Sequence, residues 1–193
     1  MNLLTIHLIS QLPLQELQLA QRCVASALGA AVSSHRNPNA NENWETPENV
    51  RSPIWKLGKI YLDPATTRSN PMDATCIRTP DCDPDGLETN WNEFSGLTFV
   101  NPPYRKLWYS KLTLELIRRR PASEVIALLP AKPGTSWFQR IVAHADAAIF
   151  IHGRLTFEGA ADPAPFESAI VYAGDSSKRF HRALGHLGWS LTL

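Results

Sequence analysis

Leu97-Thr98-Phe99-Val100-Asn101-Pro102-Pro103-Tyr104 is the stretch from which the fold of this chain is read. Its first half is apolar and rich in strand-forming residues, the composition of a short buried strand. Its second half stops that strand at once, because neither proline can donate to a ladder and both have a fixed φ. The strand therefore ends in a stiff loop that carries a side-chain amide, immobilised carbonyls and an aromatic ring. Average residue frequencies give Asn-Pro-Pro-Tyr by chance in about one chain per thousand of this length, so coincidence is set aside.

Outward from this strand the pattern alternates. Lys59 to Leu62 reads as a strand ending at Asp63-Pro64, and Glu124 to Leu129 as a buried strand ended by Pro130. Trp108 to Arg120 reads as a helix with Leu112, Leu116 and Ile117 inward, and Ser136 to Ala145 as a helix with Trp137, Phe138 and Ile141 on its core face. Ala147 to Ile151 follows as a strand. Arg154 to Phe157 and Ser168 to Tyr172 read as an antiparallel pair joined by the loop holding Pro163 and Pro165. This order predicts an α/β sheet, mostly parallel, with a late antiparallel hairpin. Ligands of open α/β sheets bind beyond the carboxyl ends of the strands. Asp63 and Asn101 both sit at such ends and are expected to face one crevice.

Upstream, Gln15 to Ala30 carries Leu17, Ala20, Val24, Ala27 and Leu28 on one helical face, and Ser33 to Asn43 is polar and Asn-rich. The expected division is residues 1–43 as a helical appendage with its linker, and residues 44–193 as the main domain. The chain has 193 residues, a net charge of +1 and three cysteines. That length suits one good core, and an odd thiol count with no disulfide framework fits a reducing compartment. Near-neutral charge means that any nucleic-acid contact must come from a local basic patch. No apolar run reaches the roughly 18 residues needed to span a bilayer. Leu3 to Ile9 is too short for a secretory core and has no preceding Lys or Arg. The expectation is a cytoplasmic protein with no membrane partner.

The Asn-Pro-Pro-Tyr loop suggests a definite chemistry. An exocyclic amine on a base such as adenine is a poor nucleophile, because its lone pair is delocalised into the ring. The Asn101 side-chain carbonyl can accept one N–H and the Pro102 main-chain carbonyl the other. Two such bonds favour a pyramidal nitrogen with its lone pair aimed at an electrophile, which is stabilisation directed at the transition state. Tyr104 offers a face for stacking, worth about 1–3 kcal/mol per base. A base in duplex must first be flipped out to reach such a loop.

Six elements occur in order: Trp44-Glu45-Thr46-Pro47, Leu62-Asp63-Pro64-Ala65, Asp85-Gly86-Leu87 with Trp91, Asn101-Pro102-Pro103-Tyr104, Leu128-Leu129-Pro130-Ala131 and Gly153-Arg154-Leu155-x-Phe157. The series, from about Trp44 to Tyr172, resembles the phage-type DNA N-6-adenine methyltransferases of bacteriophages and prophages. The resemblance implies a Rossmann-like methyltransferase fold, S-adenosylmethionine as donor, and methyl transfer to the adenine amino group in double-stranded DNA in the host cytoplasm. It implies Asn101, Pro102, Pro103 and Tyr104 as the catalytic motif and Asp63 as the acidic residue beside the cofactor. Trp44, Thr46 and Pro47 match a segment expected to bind cofactor. One departure stands out: Pro64-Ala65-Thr66-Thr67 follows Asp63 with no glycine, which leaves the methionine-binding loop undefined. Asp63-Pro64 also reads as a helix N-cap followed by proline at the first helical position.

Asp81-x-Asp83-x-Asp85-Gly86 imitates the start of a calcium loop, but its twelfth position is Asn92 and Pro84 interrupts the turn. A surface turn near the cofactor, with Asp85 as an acceptor, is the preferred reading. Cys76 and Cys82 have the wrong spacing for zinc, and the six histidines are scattered, so no metal is expected. Arg105 and Lys106 adjoin the catalytic loop and are expected to contact DNA phosphates. For Arg118-Arg119-Arg120 a solvated helix end is preferred. Asn-Pro-Pro-Tyr also serves enzymes acting on RNA or on a protein glutamine amide, and a DNA-binding protein with a decayed cofactor site is the alternative of another class. Little chain remains for base readout, which is expected to be modest or to rest on the N-terminal helix or on a second subunit of a homodimer.

Overall fold

The computed structural model describes residues 44–193, so the expected helix at Gln15 to Ala30 and the linker lie outside the described residues. The chain forms β1 (Ile60–Asp63), β2 (Cys76–Ile77), β3 (Gly96–Val100), β4 (Ser123–Pro130), β5 (Ala147–Ile151), β6 (Ser168–Ala173) and β7 (Gly188–Thr192). Among the described residues the α-helices are α1 (Glu48–Trp55), α2 (Lys106–Ile117), α3 (Ser136–Val142) and α4 (Ser177–Leu184). The strands make one seven-stranded sheet in the order β2-β1-β3-β4-β6-β5-β7. β1 is parallel to β2 and β3, and β3 is parallel to β4. β6 is antiparallel to both β4 and β5, so β5 runs the same way as β4. Five strands thus share one direction, while β6 is inserted against them and β7 closes the edge antiparallel to β5.

The strand sequences account for this architecture. β4 reads Ser-Glu-Val-Ile-Ala-Leu-Leu-Pro and is buried along nearly its whole length, as expected of a central strand covered on both faces. Alternate residues divide between two cores. Phe99, Ile126, Leu128, Ile149, Ile170 and Tyr172 face α1 and α4 through Val50, Ile54, Phe180 and Leu184. Leu62, Val100, Val125, Ala127, Leu129 and Val171 face α2 and α3 through Leu112, Leu116 and Ile141. The result is three layers, helices on either side of a sheet. Truncating a fully buried residue such as Ile126 or Leu128 to alanine costs about 2–5 kcal/mol.

Two sequence expectations need correction. Arg154 to Phe157 is not a strand paired with Ser168 to Tyr172. Gly153 turns the chain at φ +72°, and Leu155 and Phe157 then enter the core from an irregular segment. Ala164 N–H binds the Leu155 carbonyl and Ala160 N–H the Phe157 carbonyl, so local turns use the carbonyls that a ladder would have used. The antiparallel partners of β6 are β4 and β5. Likewise no helix follows Asp63: the carboxylate accepts the Ala65 N–H at 3.1 Å in a tight turn, not in a helix cap. Trp137 is half-buried and lies flat on Tyr109, with ring centroids 3.8 Å apart and planes at 7°. Arg119 bonds Ser123 O and pairs with Asp175 and Asp146, which gives that arginine a structural place at the end of α2.

Candidate active site

β1 and β3 are neighbours, with Leu62 opposite Thr98, and both end on the same edge of the sheet. β1 delivers Asp63 and β3 delivers Asn101. The two strand ends meet very different surroundings.

Asp63 is only 2 % exposed. Burial pushes its carboxyl up to about 7, against the smaller lowering effects of the Ala65 amide and the Thr66 hydroxyl. No lysine or arginine among the described residues pairs with it. The Thr66 hydroxyl itself is buried without a well-formed hydrogen bond among the described residues. A buried carboxylate without a described cationic partner, beside the Thr66 hydroxyl at a strand's carboxyl end, fits a ligand that brings hydroxyl donors and positive charge, as S-adenosylmethionine does.

The loop that follows is shaped from a distance. A Cβ added to Gly86 would lie 1.6 Å from the Pro64 carbonyl oxygen and 2.8 Å from the Trp108 ring, so only glycine fits there. Gly86 is held in place by its own carbonyl, which accepts from the Trp91 indole at 2.9 Å. Asp85, next to it, accepts the Leu87 and Glu88 amides at 2.8 and 3.0 Å and so closes the turn that presents Gly86. Glu115 of α2 anchors the far side of this excursion. Its carboxylate, 1 % exposed as a residue, takes Lys111, the Trp91 amide and the Asn92 side chain at 2.7, 3.1 and 2.8 Å.

Asn101 is closely held. Its amide nitrogen donates to the Trp44 carbonyl at 2.7 Å and to the Thr46 hydroxyl at 3.3 Å. Its Oδ1 accepts the Tyr104 hydroxyl at 3.0 Å. Burial, aided by Tyr109, pushes the Tyr104 phenol well above its ordinary value, so it remains a donor. Pro102 is buried, and its carbonyl takes no hydrogen bond from the described residues. Pro103 accepts the Arg105 amide at 2.6 Å, which tightens the loop into α2. Arg105 and Lys106 stand exposed where α2 begins.

The segment before α1 ties the two strand ends together. Glu45 accepts Thr67 and Ser69, from the loop after β1, at 3.2 and 2.8 Å. Its carbonyl accepts the Glu158 amide at 3.0 Å, while the flanking Trp44 and Thr46 hold Asn101. Pro47 is the N-cap residue of α1, and its carbonyl accepts the Val50 and Arg51 amides. An aromatic group completes the site. Phe166 stacks with Trp44 at 6.0 Å and meets Tyr104 edge-on at 5.4 Å, and Phe157 meets Trp44 edge-on at 4.9 Å. Sequence reading passed over Phe166 and Glu45. A single aromatic inside Asp162-Pro163-Ala164-Pro165-Phe166 is the available signal, since a proline-rich surface loop has little reason to carry one. No cluster of three or more metal-ligating side chains occurs among the described residues, and no described helix is long and apolar enough to cross a membrane.

Five strands in one direction with one reversed inner strand, covered by helices on both faces, make a Rossmann-like α/β fold, with the candidate site at the carboxyl ends of β1 and β3. The chain belongs to the DNA N-6-adenine-methyltransferase (Dam) family, whose sequence model matches residues 33–176. Membership brings S-adenosylmethionine as the methyl donor. Among solved structures, the chain is similar to a Listeria monocytogenes protein assigned to the class I S-adenosylmethionine-dependent methyltransferases. That likeness has 13 % identity and a TM-score of 0.46, over 88 % of this chain and 71 % of the other. No curated protein matches the chain.

Proposed function

We propose that residues 44–193 form an enzyme that methylates the exocyclic amino group of adenine in double-stranded DNA, encoded by a phage or prophage and acting in the bacterial cytoplasm. The observation that carries the reading is the state of the two acceptors at the end of β3. Asn101 has both amide protons engaged and its Oδ1 turned to the Tyr104 side, and the Pro102 carbonyl takes no described donor. A carbonyl oxygen has two lone pairs, so Oδ1 keeps one position for a substrate N–H beside the Tyr104 hydroxyl. The Pro102 carbonyl takes the second N–H.

S-adenosylmethionine, when bound, supplies an electrophilic methyl group on a sulfonium. Asp63 and Thr66 hold it on the β1 side, with Asp85 and Gly86 shaping the loop they border. On the β3 side Asn101 and Pro102 orient the amine, and the ring of Tyr104 stacks on the flipped adenine within the Trp44 and Phe166 group. Arg105 and Lys106 contact phosphates and position the strand. No strong general base is required, because the alkylated amine is cationic and loses its proton readily.

The test is direct. DNA from cells expressing the chain is digested with restriction enzymes sensitive to adenine methylation, and its nucleosides are separated by mass spectrometry. N-6-methyladenine in expressing cells, absent with Asn101→Ala, is the expected result. Methyl groups found only on RNA or on protein glutamine would replace the substrate in this reading.

A further inference from the structure

Asn101 is held by an acceptor that cannot change its role. The Trp44 main-chain carbonyl has no proton, so the Asn101 terminal atom 2.7 Å away must be the nitrogen. The second amide proton goes to the Thr46 hydroxyl at 3.3 Å. Thr46 is buried, with 2 % exposure, and leads into the N-cap residue of α1, so its hydroxyl is a fixed partner. An asparagine without such partners rotates between two amide orientations of similar energy. One of them would present NH₂ to an incoming amine, donor against donor.

We propose that Thr46 and the Trp44 carbonyl are positioning elements of the transfer reaction. They fix the amide with Oδ1 toward the substrate amine, and they commit position 101 to asparagine over aspartate. The inference rests on the proposed role of Asn101 and deepens it. It gives Thr46 a different role from the cofactor contact expected from sequence. An aspartate at this position would set a carboxylate oxygen against the Trp44 carbonyl, two acceptors with no proton between them.

The experiment uses the full chain with an adenine-containing duplex and S-adenosylmethionine, comparing wild type with Thr46→Val, Thr46→Ser and Asn101→Asp. Thr46→Val keeps the shape and removes the acceptor. It is expected to lower kcat about three- to tenfold with KM for S-adenosylmethionine within about twofold, and Thr46→Ser to restore kcat. Asn101→Asp is expected to lose about a hundredfold or more. A readout independent of activity is the NMR signal of the Asn101 side-chain amide in the cofactor-free protein. Its proton exchange should accelerate in Thr46→Val and not in Thr46→Ser. A raised KM for S-adenosylmethionine with unchanged kcat in Thr46→Val would assign Thr46 to the cofactor and overturn the proposal. So would wild-type activity in Asn101→Asp, or unchanged amide exchange in Thr46→Val. Should the wild type methylate no DNA, the functional reading fails, and the amide exchange still decides whether Thr46 orients Asn101.

Discussion

β1 and β3 lie side by side and end in opposite conditions. Asp63 at the end of β1 is buried, unpaired by any described cation and pushed up to about 7. Asn101 at the end of β3 has every amide proton engaged and is fixed by chain from before α1. On the proposed function the contrast separates two tasks. The β3 side is arranged in advance, as a group that must stabilise a transition state needs to be. The β1 side carries a buried carboxyl without a described cationic partner, so in the proposed reading binding there is expected to change the protein more than binding at β3.

The largest expected effect tests the β3 side. Asn101→Ala or Tyr104→Ala should reduce methylation by about a thousandfold or more while the circular dichroism spectrum is kept. Full activity in either variant removes the proposed chemistry. Gly86→Ala comes next. With a carbonyl 1.6 Å from the new Cβ, the Asp63-Pro64 turn must shift, and S-adenosylmethionine affinity by calorimetry should fall about a hundredfold. An unchanged affinity would show that this turn does not shape the cofactor site.

Asp63 then sharpens the comparison through pH. The folded protein holds this proton more tightly than the unfolded chain, since the pKa rises from 3.8 to about 7. Cofactor-free stability from this group is therefore greatest below about pH 4 and is lost as pH climbs toward 7. Asp63→Asn should accordingly raise Tm at pH 8 and not at pH 4. A ligand that prefers the carboxylate has the reverse trend: wild-type cofactor affinity should rise about tenfold from pH 6 to pH 8, and the variant should lack this slope. A flat wild-type profile would refute ionisation of Asp63 on binding. The smallest effect belongs to the rim. Arg105→Ala with Lys106→Ala should weaken DNA binding severalfold and make the salt dependence shallower by about two phosphate contacts.

Much of this was legible in the sequence, and the failures have physical reasons. β3, β4 and β5 carry apolar runs bounded by Pro, Gly or Asp, which is why their positions were read closely. β2 has two residues, and β7 is an edge strand with no buried residue and Trp189 65 % exposed, so neither carries the periodicity of a half-buried strand. Leu155 and Phe157 mimic a strand because burial, not ladder pairing, selected them. In the site, Asn101 and Tyr104 were readable because two prolines fix their spacing. The grip of Trp44 and Thr46 on Asn101 was not, since it spans more than fifty residues and uses a main-chain carbonyl that no residue type announces.

Gly86 has a consequence for how such proteins are recognised and altered. The small residue that lets main chain pack against the turn after β1 is borrowed from the excursion between β2 and β3, so chain order and spatial order part company on the donor side. A search for a glycine-rich pattern immediately after the first strand passes over a protein built this way. Insertions between Arg78 and Phe94, which do not adjoin Asp63 in sequence, should disturb the turn after β1 as surely as changes beside Asp63.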